Sequence, residues 1–407
     1  MASLHPFRAL RPAQDTAASV SSVPYDVVST DEARQLASGN PLSFLHVTRS
    51  EIDLPPGTDP YADAVYARAR ENFDQLRRAA PLVLEDAPSL YFYKLRMGDH
   101  EQTGIAGCFS VDEYERDVIR KHERTRRDKE DDRTRHIVEL RAQTGVVFLT
   151  YTASRAIDEI AARATSSAPL YDFEAADGVR HSIWKVSAAD AQSLQSAFAG
   201  IPALYIADGH HRAASAARAR ASVAPGGSNG AGSSDTFIAV AFPHNQMQIL
   251  PYNRTVKDLA GRTPDAFLAE LKQSFAVSEG PATPRRKGEV SMYLAGHWYT
   301  IDLSRTKPSD DSRASALDVA LLQHHVLERV LGIGDIRSDK RIDFVGGARG
   351  TAALEDAVNS GKAAVAFSMF PVTIEDLMGI SDAGGIMPPK STWFEPKLRD
   401  GLLVHLI

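Results

Sequence analysis

Apolar residues along this chain change period several times, and each change marks an element. Between residues 61 and 80, Ala62, Val65, Ala69, Phe73 and Leu76 recur every three or four positions, and Pro81 closes the run. That spacing predicts a helix with one buried face. The apolar runs 90–95 and 103–109, separated by a polar stretch at 97–102, predict a hairpin. Shorter apolar runs at 27–28 and 44–47, set among prolines, predict brief strands. Residues 112–141 are strongly charged and predict a helix broken at most once, followed by a buried strand at 146–151 and a helix at 156–164. Another short apolar stretch covers 181–186. Residues 204–207 predict a strand and 209–221 an alanine-rich helix, alanine being the best helix former. Strand patterns return at 236–242 and 247–250. The last third predicts helices at 264–274, 317–331 and 373–378, with strands at 290–294, 297–301, 342–345 and 364–368. There is no internal repeat. Strands and helices follow one another without strict alternation, which predicts an α+β fold more than a doubly wound sheet.

A chain of 407 residues exceeds the size at which one hydrophobic core stays single, so two or three domains are expected. We place them at 1–160, with the charged helix, at 161–262, and at 263–407. A formal net charge of -6 counts against a protein that coats nucleic acid. The single cysteine, Cys108, excludes an internal disulfide and a zinc site built on several thiolates, and it reads as a small buried apolar residue. No stretch approaches the ~18 consecutive apolar residues of a membrane span, and the first residues lack the apolar segment of a signal peptide. The expectation is a soluble, cytoplasmic protein with no membrane partner. The Gly/Ser-rich stretch 224–234 predicts a mobile loop.

Candidate chemistry concentrates after the strand at 204–207, in Asp208-Gly209-His210-His211-Arg212. Asp208 stands where an N-cap belongs. Gly209 permits a positive φ or close approach of the backbone to a ligand. The first turn of the following helix leaves N–H groups free, and its dipole favours an anion. Arg212 adds a guanidinium that can hold a phosphate through two hydrogen bonds. The plainer account is a capped helix with two solvent-facing histidines. Against it stands the clustering of an acid, two imidazoles and a guanidinium at the end of an apolar strand, where ligands commonly sit. Adjacent histidines on a helix point about 100° apart, so His210 and His211 are poorly placed to share one metal. The sequence names no metal ligands. Asp208 beside a phosphate would repel it unless it faces a cation or takes a proton from an acceptor hydroxyl.

Two other clusters accompany this corner. Lys121-His122-Glu123-Arg124-Thr125 opens a charge run whose bland reading is a solvated, salt-bridged helix; the sharper one brings Lys121, His122, Glu123 and Thr125 to a cleft. Met387-Pro388-Pro389-Lys390-Ser391-Thr392-Trp393-Phe394-Glu395-Pro396-Lys397 is a proline-stiffened segment whose lysines and hydroxyls suit an anion pocket, or else a surface loop with a packed Trp393. Pro24-Tyr25-Asp26 reads as a turn, and Arg254 as a structural cation.

Taken in order, these landmarks resemble domain-of-unknown-function family 1015 along nearly the whole chain. His5-Pro6-Phe7-Arg8-Ala9-Leu10-Arg11-Pro12, Pro24-Tyr25-Asp26-Val27-Val28-Ser29 and Asn40-Pro41-Leu42-Ser43-Phe44-Leu45 carry the match, with residues 121–125, 206–212 and 387–392. The Asp-Gly-His-His-Arg corner is similar to the phosphate-binding motif of free-serine kinases. That resemblance implies a ParB/sulfiredoxin-like mixed-sheet core near 161–262, with additional N- and C-terminal α/β segments. It further implies a small-molecule phosphotransferase making O-phosphoserine from L-serine, with Mg²⁺ and with pyrophosphate, ATP or ADP as donor. A nucleotide loop of the Gly-Lys-Ser/Thr type is absent from the sequence, which is compatible with pyrophosphate. On this reading Asp208, His210 and Glu123 are catalytic. Gly209, His211, Arg212, Lys121, His122, Thr125, Lys390, Ser391 and Thr392 bind phosphate or substrate. A phosphatase or nucleotide hydrolase using the same cradle is the rival enzyme. A nucleotide-gated ParB-like module is the non-enzymatic rival, which salt-dependent binding to duplex DNA would reveal. A homo-oligomer is left open.

Overall fold

The computed structural model describes residues 1–79, 82–223 and 233–407. It divides into two compact units, Met1–Met247 with Pro396–Ile407, and Gln248–Glu395. Both mix helices with sheets, as the unalternating pattern predicts. The division differs from the three parts expected from sequence. One sheet draws strands from both sides of residue 160, and residue 262 falls inside the second unit.

In the first unit the hairpin Tyr91–Met97 and His100–Ser110 forms as the two apolar runs predict. It belongs to an eight-stranded mixed sheet in the order Ile119–Arg120, Leu204–Asp208, Val147–Tyr151, Thr236–Pro243, His100–Ser110, Tyr91–Met97, Arg180–Lys185, Tyr171–Glu174. Leu204–Asp208 pairs parallel with Ile119–Arg120 and antiparallel with Val147–Tyr151, which in turn pairs parallel with Thr236–Pro243. Strands this apolar are covered on both faces. Phe109, Leu149, Tyr151, Phe198, Ile206 and Phe237 lie in the main core, all essentially inaccessible. Cys108 is buried in the hairpin's second strand, as expected of a small apolar side chain.

A smaller antiparallel sheet joins the two ends of the chain, with Ala9–Arg11 paired to Val404–Leu406 and Leu406 in turn to Ala142. The predicted helix is present as Asp63–Ala79, burying Val65, Ala69, Phe73 and Leu76, while Pro81 lies outside the described residues. Most of the Gly/Ser-rich stretch, 224–232, also lies outside them. Two short strands expected near the start are helical turns, Tyr25–Val27 and Leu45–Thr48. Apolar runs of two to four residues do not distinguish the periods, and in the second case Phe44 and Thr48 come onto one buried face.

The second unit carries a six-stranded antiparallel sheet in the order Ala276–Glu279, His297–Asp302, Glu289–Leu294, Val365–Met369, Tyr252–Val256, Ile342–Gly346. The helix Pro264–Ser274 begins with Thr263 capping Ala266 N, as its Thr-Pro start predicts.

Candidate active site

The strand Leu204–Asp208 ends in a fault that exposes its last residue. Against Val147–Tyr151 its register shifts between Ile206 and Asp208, so Ala207 is an extra residue. Such a bulge bends the strand and re-aims the side chain beyond it. Gly209 follows with φ +88° and occupies the N-cap of the helix His210–Ser222. The cap is therefore one residue later than the sequence suggests. Asp208 instead uses Oδ1 to accept the Gly209 N–H at 2.8 Å. An alanine Cβ at 209 would lie 3.3 Å from Arg212 Cδ and 3.4 Å from the Val147 Cα, so glycine answers both the φ and the crowding.

Asp208 is held as a carboxylate. Burial alone would raise its pKa, but Lys397, then Arg212, and the Gly209 N–H hold it well below the ordinary carboxylate range. Lys397 Nζ lies 3.1 Å from Asp208 Oδ2. It comes from the far end of the sequence, where it was legible only as the last residue of the proline-stiffened segment.

Arg212 is buried and faces inward. Nη1 donates to the Val146 carbonyl at 2.8 Å and Nη2 to Asp26 Oδ1 at 2.6 Å. The ring of Tyr25 lies 5.6 Å from the guanidinium. Burial works against the charge, yet Asp26, Asp208 and Asp400 keep the pKa above the usual arginine value. Asp400 is 1% exposed. Burial pushes it up to about 7, although Arg212 pulls the other way. A pocket beside Arg212, about 380 Å³ with its open mouth included, is lined by Tyr25, Arg133, His136, Thr144 and Gly145 among others.

The segment 121–126 hangs on the two corner histidines. It follows the two-residue strand Ile119–Arg120 and precedes the helix Arg127–Leu140, so it is loop and not the middle of a helix. His122 N donates to His210 Nε2 at 3.4 Å, a long bond, and the two rings meet edge to face at 4.4 Å. Arg126 N donates to His211 Nε2 at 3.0 Å. Neither histidine of the corner is simply solvent-facing. His210 is buried and His211 half-buried. Burial lowers the pKa of His122 to about 4, against a raising influence from the Ile206 carbonyl. Burial takes His210 well below the usual range, and it lowers His211 as well. All three rings are therefore neutral at pH 7. One ring nitrogen from His122, one from His210 and one carboxylate oxygen from Glu123 all lie within 4.8 Å of one another.

The rest of the sequence-derived set is placed differently. Lys121 Nζ turns back to the Tyr114 carbonyl at 2.7 Å and to Asp117 at 2.6 Å. Thr125 donates its hydroxyl to Glu130. Lys390, Ser391 and Thr392 belong to the second unit, where Ser391 Oγ donates to the Pro388 carbonyl at 2.6 Å. Asp26 and Asp400, which surround Arg212, were not singled out as site residues. For Asp26 the landmark Pro24-Tyr25-Asp26 was a usable signal; Asp400 offered none.

The family model described as "Protein of unknown function (DUF1015)" matches residues 4–320. The chain belongs to that family. No curated protein matches it. Among solved structures, a conserved hypothetical protein from Pyrococcus furiosus is similar at 14% identity and a TM-score of 0.37, covering 74% of this chain and 95% of that one. A free serine kinase in complex with AMP shows 12% identity and a TM-score of 0.36, covering 73% and 91%. SbnI from Staphylococcus aureus shows 11% identity and a TM-score of 0.40, covering 74% and 87%. Likenesses of this size carry no argument about activity. Among the described residues, no helix is long and apolar enough to cross a membrane.

Proposed function

We propose that this DUF1015 chain is a cytoplasmic small-molecule phosphotransferase, a free L-serine kinase that makes O-phosphoserine with pyrophosphate or an adenine nucleotide as donor. The core of its first unit is read as ParB/sulfiredoxin-like, following the corner motif and the mixed sheet that carries it. The observation that carries the functional reading is the meeting of the 121–126 loop with the Asp208–Arg212 corner through His122, His210 and His211. Motifs far apart in sequence are joined at the end of one strand.

The roles follow from the chemistry of each group. The Gly209 turn and the first N–H groups of a 13-residue helix receive the transferring phosphoryl group, assisted by His210 and His211. Asp208, kept ionised by Lys397, orients the acceptor hydroxyl and takes its proton, with Glu123 as the other carboxylate at hand. Arg212 acts from behind the corner. Its two bonds to Val146 and Asp26 lock the turn, and its charge adds to the positive potential there. Lys121, His122 and Thr125 shape the loop. Lys390, Ser391 and Thr392 keep their phosphate role on the family motif alone. The donor set is a poor cage for Mg²⁺, which prefers oxygen ligands. Both Asp208 oxygens are engaged, and the neighbouring groups are the imidazoles of His122 and His210 with a single carboxylate, Glu123. None of these roles depends on that ion.

The test is incubation of the purified chain with L-serine, Mg²⁺ and pyrophosphate, ATP or ADP in separate reactions, with phosphoserine measured directly. Phosphoserine should form with one donor and fall about 10²–10⁴-fold in Asp208→Asn, the range for loss of a positioned base. No phosphoserine with any donor overturns the proposal, and phosphate release without serine replaces it by the hydrolase.

A further inference from the structure

We propose that His122, Glu123 and His210 form a binding site for a divalent transition-metal ion of the zinc, manganese, iron or cobalt kind. Their three donor atoms lie within 4.8 Å of one another, the one such group of three among the described residues. Around an ion with bonds near 2.1 Å, neighbouring ligands stand roughly 3–3.5 Å apart. Closing that difference takes modest rotations of the three side chains, of which Glu123, half-buried at the loop, is the least confined.

A second observation points to a ligand. His122 is 2% exposed, yet neither of its ring nitrogens has a well-formed hydrogen bond. Buried polar atoms in native proteins almost always have a partner, and an ion is one of the few explanations for an orphan. The Ile206 carbonyl leans on the same ring from close range without reaching hydrogen-bond geometry. A carbonyl in that position is the usual outer partner that orients a metal-bound imidazole. His211 lies outside this group of three, and its Nε2 accepts the Arg126 N–H in a shorter bond than the long one at His210.

The donor set chooses the class of ion. Two imidazole nitrogens and one carboxylate suit zinc, iron, manganese or cobalt, and leave coordination positions open for a substrate oxygen. The positive end of the helix opposes a cation at His210. The carboxylate of Glu123 offsets that, whereas the charge of Asp208 is already met by Lys397. His210 and His211, adjacent on one helix, are poorly placed to share an ion. The partner of His210 is 88 residues away, on the loop.

The full-length protein, stripped with a chelator and desalted, is titrated with Co²⁺ and followed by visible absorption and calorimetry. We expect one equivalent to bind with d–d bands and to be displaced by Zn²⁺, but not by millimolar Mg²⁺. His122→Ala, His210→Ala and Glu123→Gln should each weaken binding at least 100-fold. Exposed His297 and the His324/His325 pair control for surface histidines, so His297→Ala and a His324→Ala, His325→Ala double variant should bind as the parent does. Circular dichroism checks the fold of each variant. Glu123→Gln, at the least buried ligand, keeps the test valid where a histidine variant fails to fold. Absence of stoichiometric Co²⁺ binding, its survival in Glu123→Gln, or its loss in the surface double variant overturns the site. Binding is read without substrate, so failure of the serine kinase reading leaves this result standing.

Discussion

Arg212 in the first unit and Arg254 in the second are both buried arginines, and their surroundings differ in kind. Arg212 sits among three carboxylates, Asp26, Asp208 and Asp400, and its pKa is held above the usual value despite burial. Arg254, 1% exposed on the strand Tyr252–Val256, gives its Nη1 to the Tyr252 carbonyl and its Nη2 to the Lys390 carbonyl at 3.0 Å, with the Phe344 ring 5.6 Å away. Burial lowers its pKa to about 10. Neutral dipoles and a ring satisfy a structural cation. Several acids gathered round one cation, at the bulged end of a strand, concentrate field and perturbed protonation in the way functional sites do. The contrast separates a residue that fastens a sheet from one that organises a corner.

The largest expected effect tests that contrast directly. Arg212→Ala leaves the buried Asp400 and the half-buried Asp208 without their shared guanidinium; removing one partner of a buried ion pair costs up to about 3–5 kcal/mol, reduced here because Asp26 reaches solvent. Arg254→Met strands two carbonyl oxygens and no charge, so its cost should be about 1–3 kcal/mol. Urea unfolding of the two variants measures both. Equal losses, or a larger one at Arg254, would break the comparison.

How much of this was legible in the sequence depends on distance along the chain. The corner itself is local, and strand, glycine turn and alanine-rich helix were all readable at 204–221. Its charge partners were not, because Lys397 and Asp26 are 189 and 186 residues from the side chains they bind. No periodicity links positions so far apart. The 121–125 loop was hidden for another reason. Its charges continue without a break into the helix Arg127–Leu140, and only the burial of the His122 ring against His210 shows where the helix cannot extend. The helix Ala188–Phe198 was missed because only Leu194 and Phe198 are buried on it, too few to set a period.

Asp400 gives a pH-dependent way to sharpen the same comparison. Burial raises its pKa to about 7, against an unfolded value of about 4. Between those values the folded state holds a proton that the unfolded state has lost. The contribution of this group to stability therefore falls as the pH rises through the window and stays lost above it. Asparagine mimics the protonated acid and does not titrate. Relative to the parent, Asp400→Asn should gain on the order of 2–3 kcal/mol between pH 5 and pH 8. A parallel pair of stability curves would mean that Asp400 is an ordinary carboxylate and that Arg212 has a fuller counter-charge than described.

The smallest effect concerns a pair of glycine turns, one taken from each unit. Gly209 and Gly296 have nearly the same φ, +88° and +86°. A Cβ at Gly296, in the turn between Glu289–Leu294 and His297–Asp302, meets nothing within 4 Å. At Gly209 it meets Arg212 Cδ and the Val147 backbone at 3.3 and 3.4 Å. Both alanine variants incur the left-handed backbone cost of roughly 1–2 kcal/mol. Only Gly209→Ala must also displace the side chain that locks the corner. Its loss should exceed that of Gly296→Ala by up to about 1 kcal/mol, with turnover reduced only in the corner variant. Equal losses with unchanged turnover would show that the tight approach of Arg212 to the turn is incidental, and that backbone conformation alone requires glycine there.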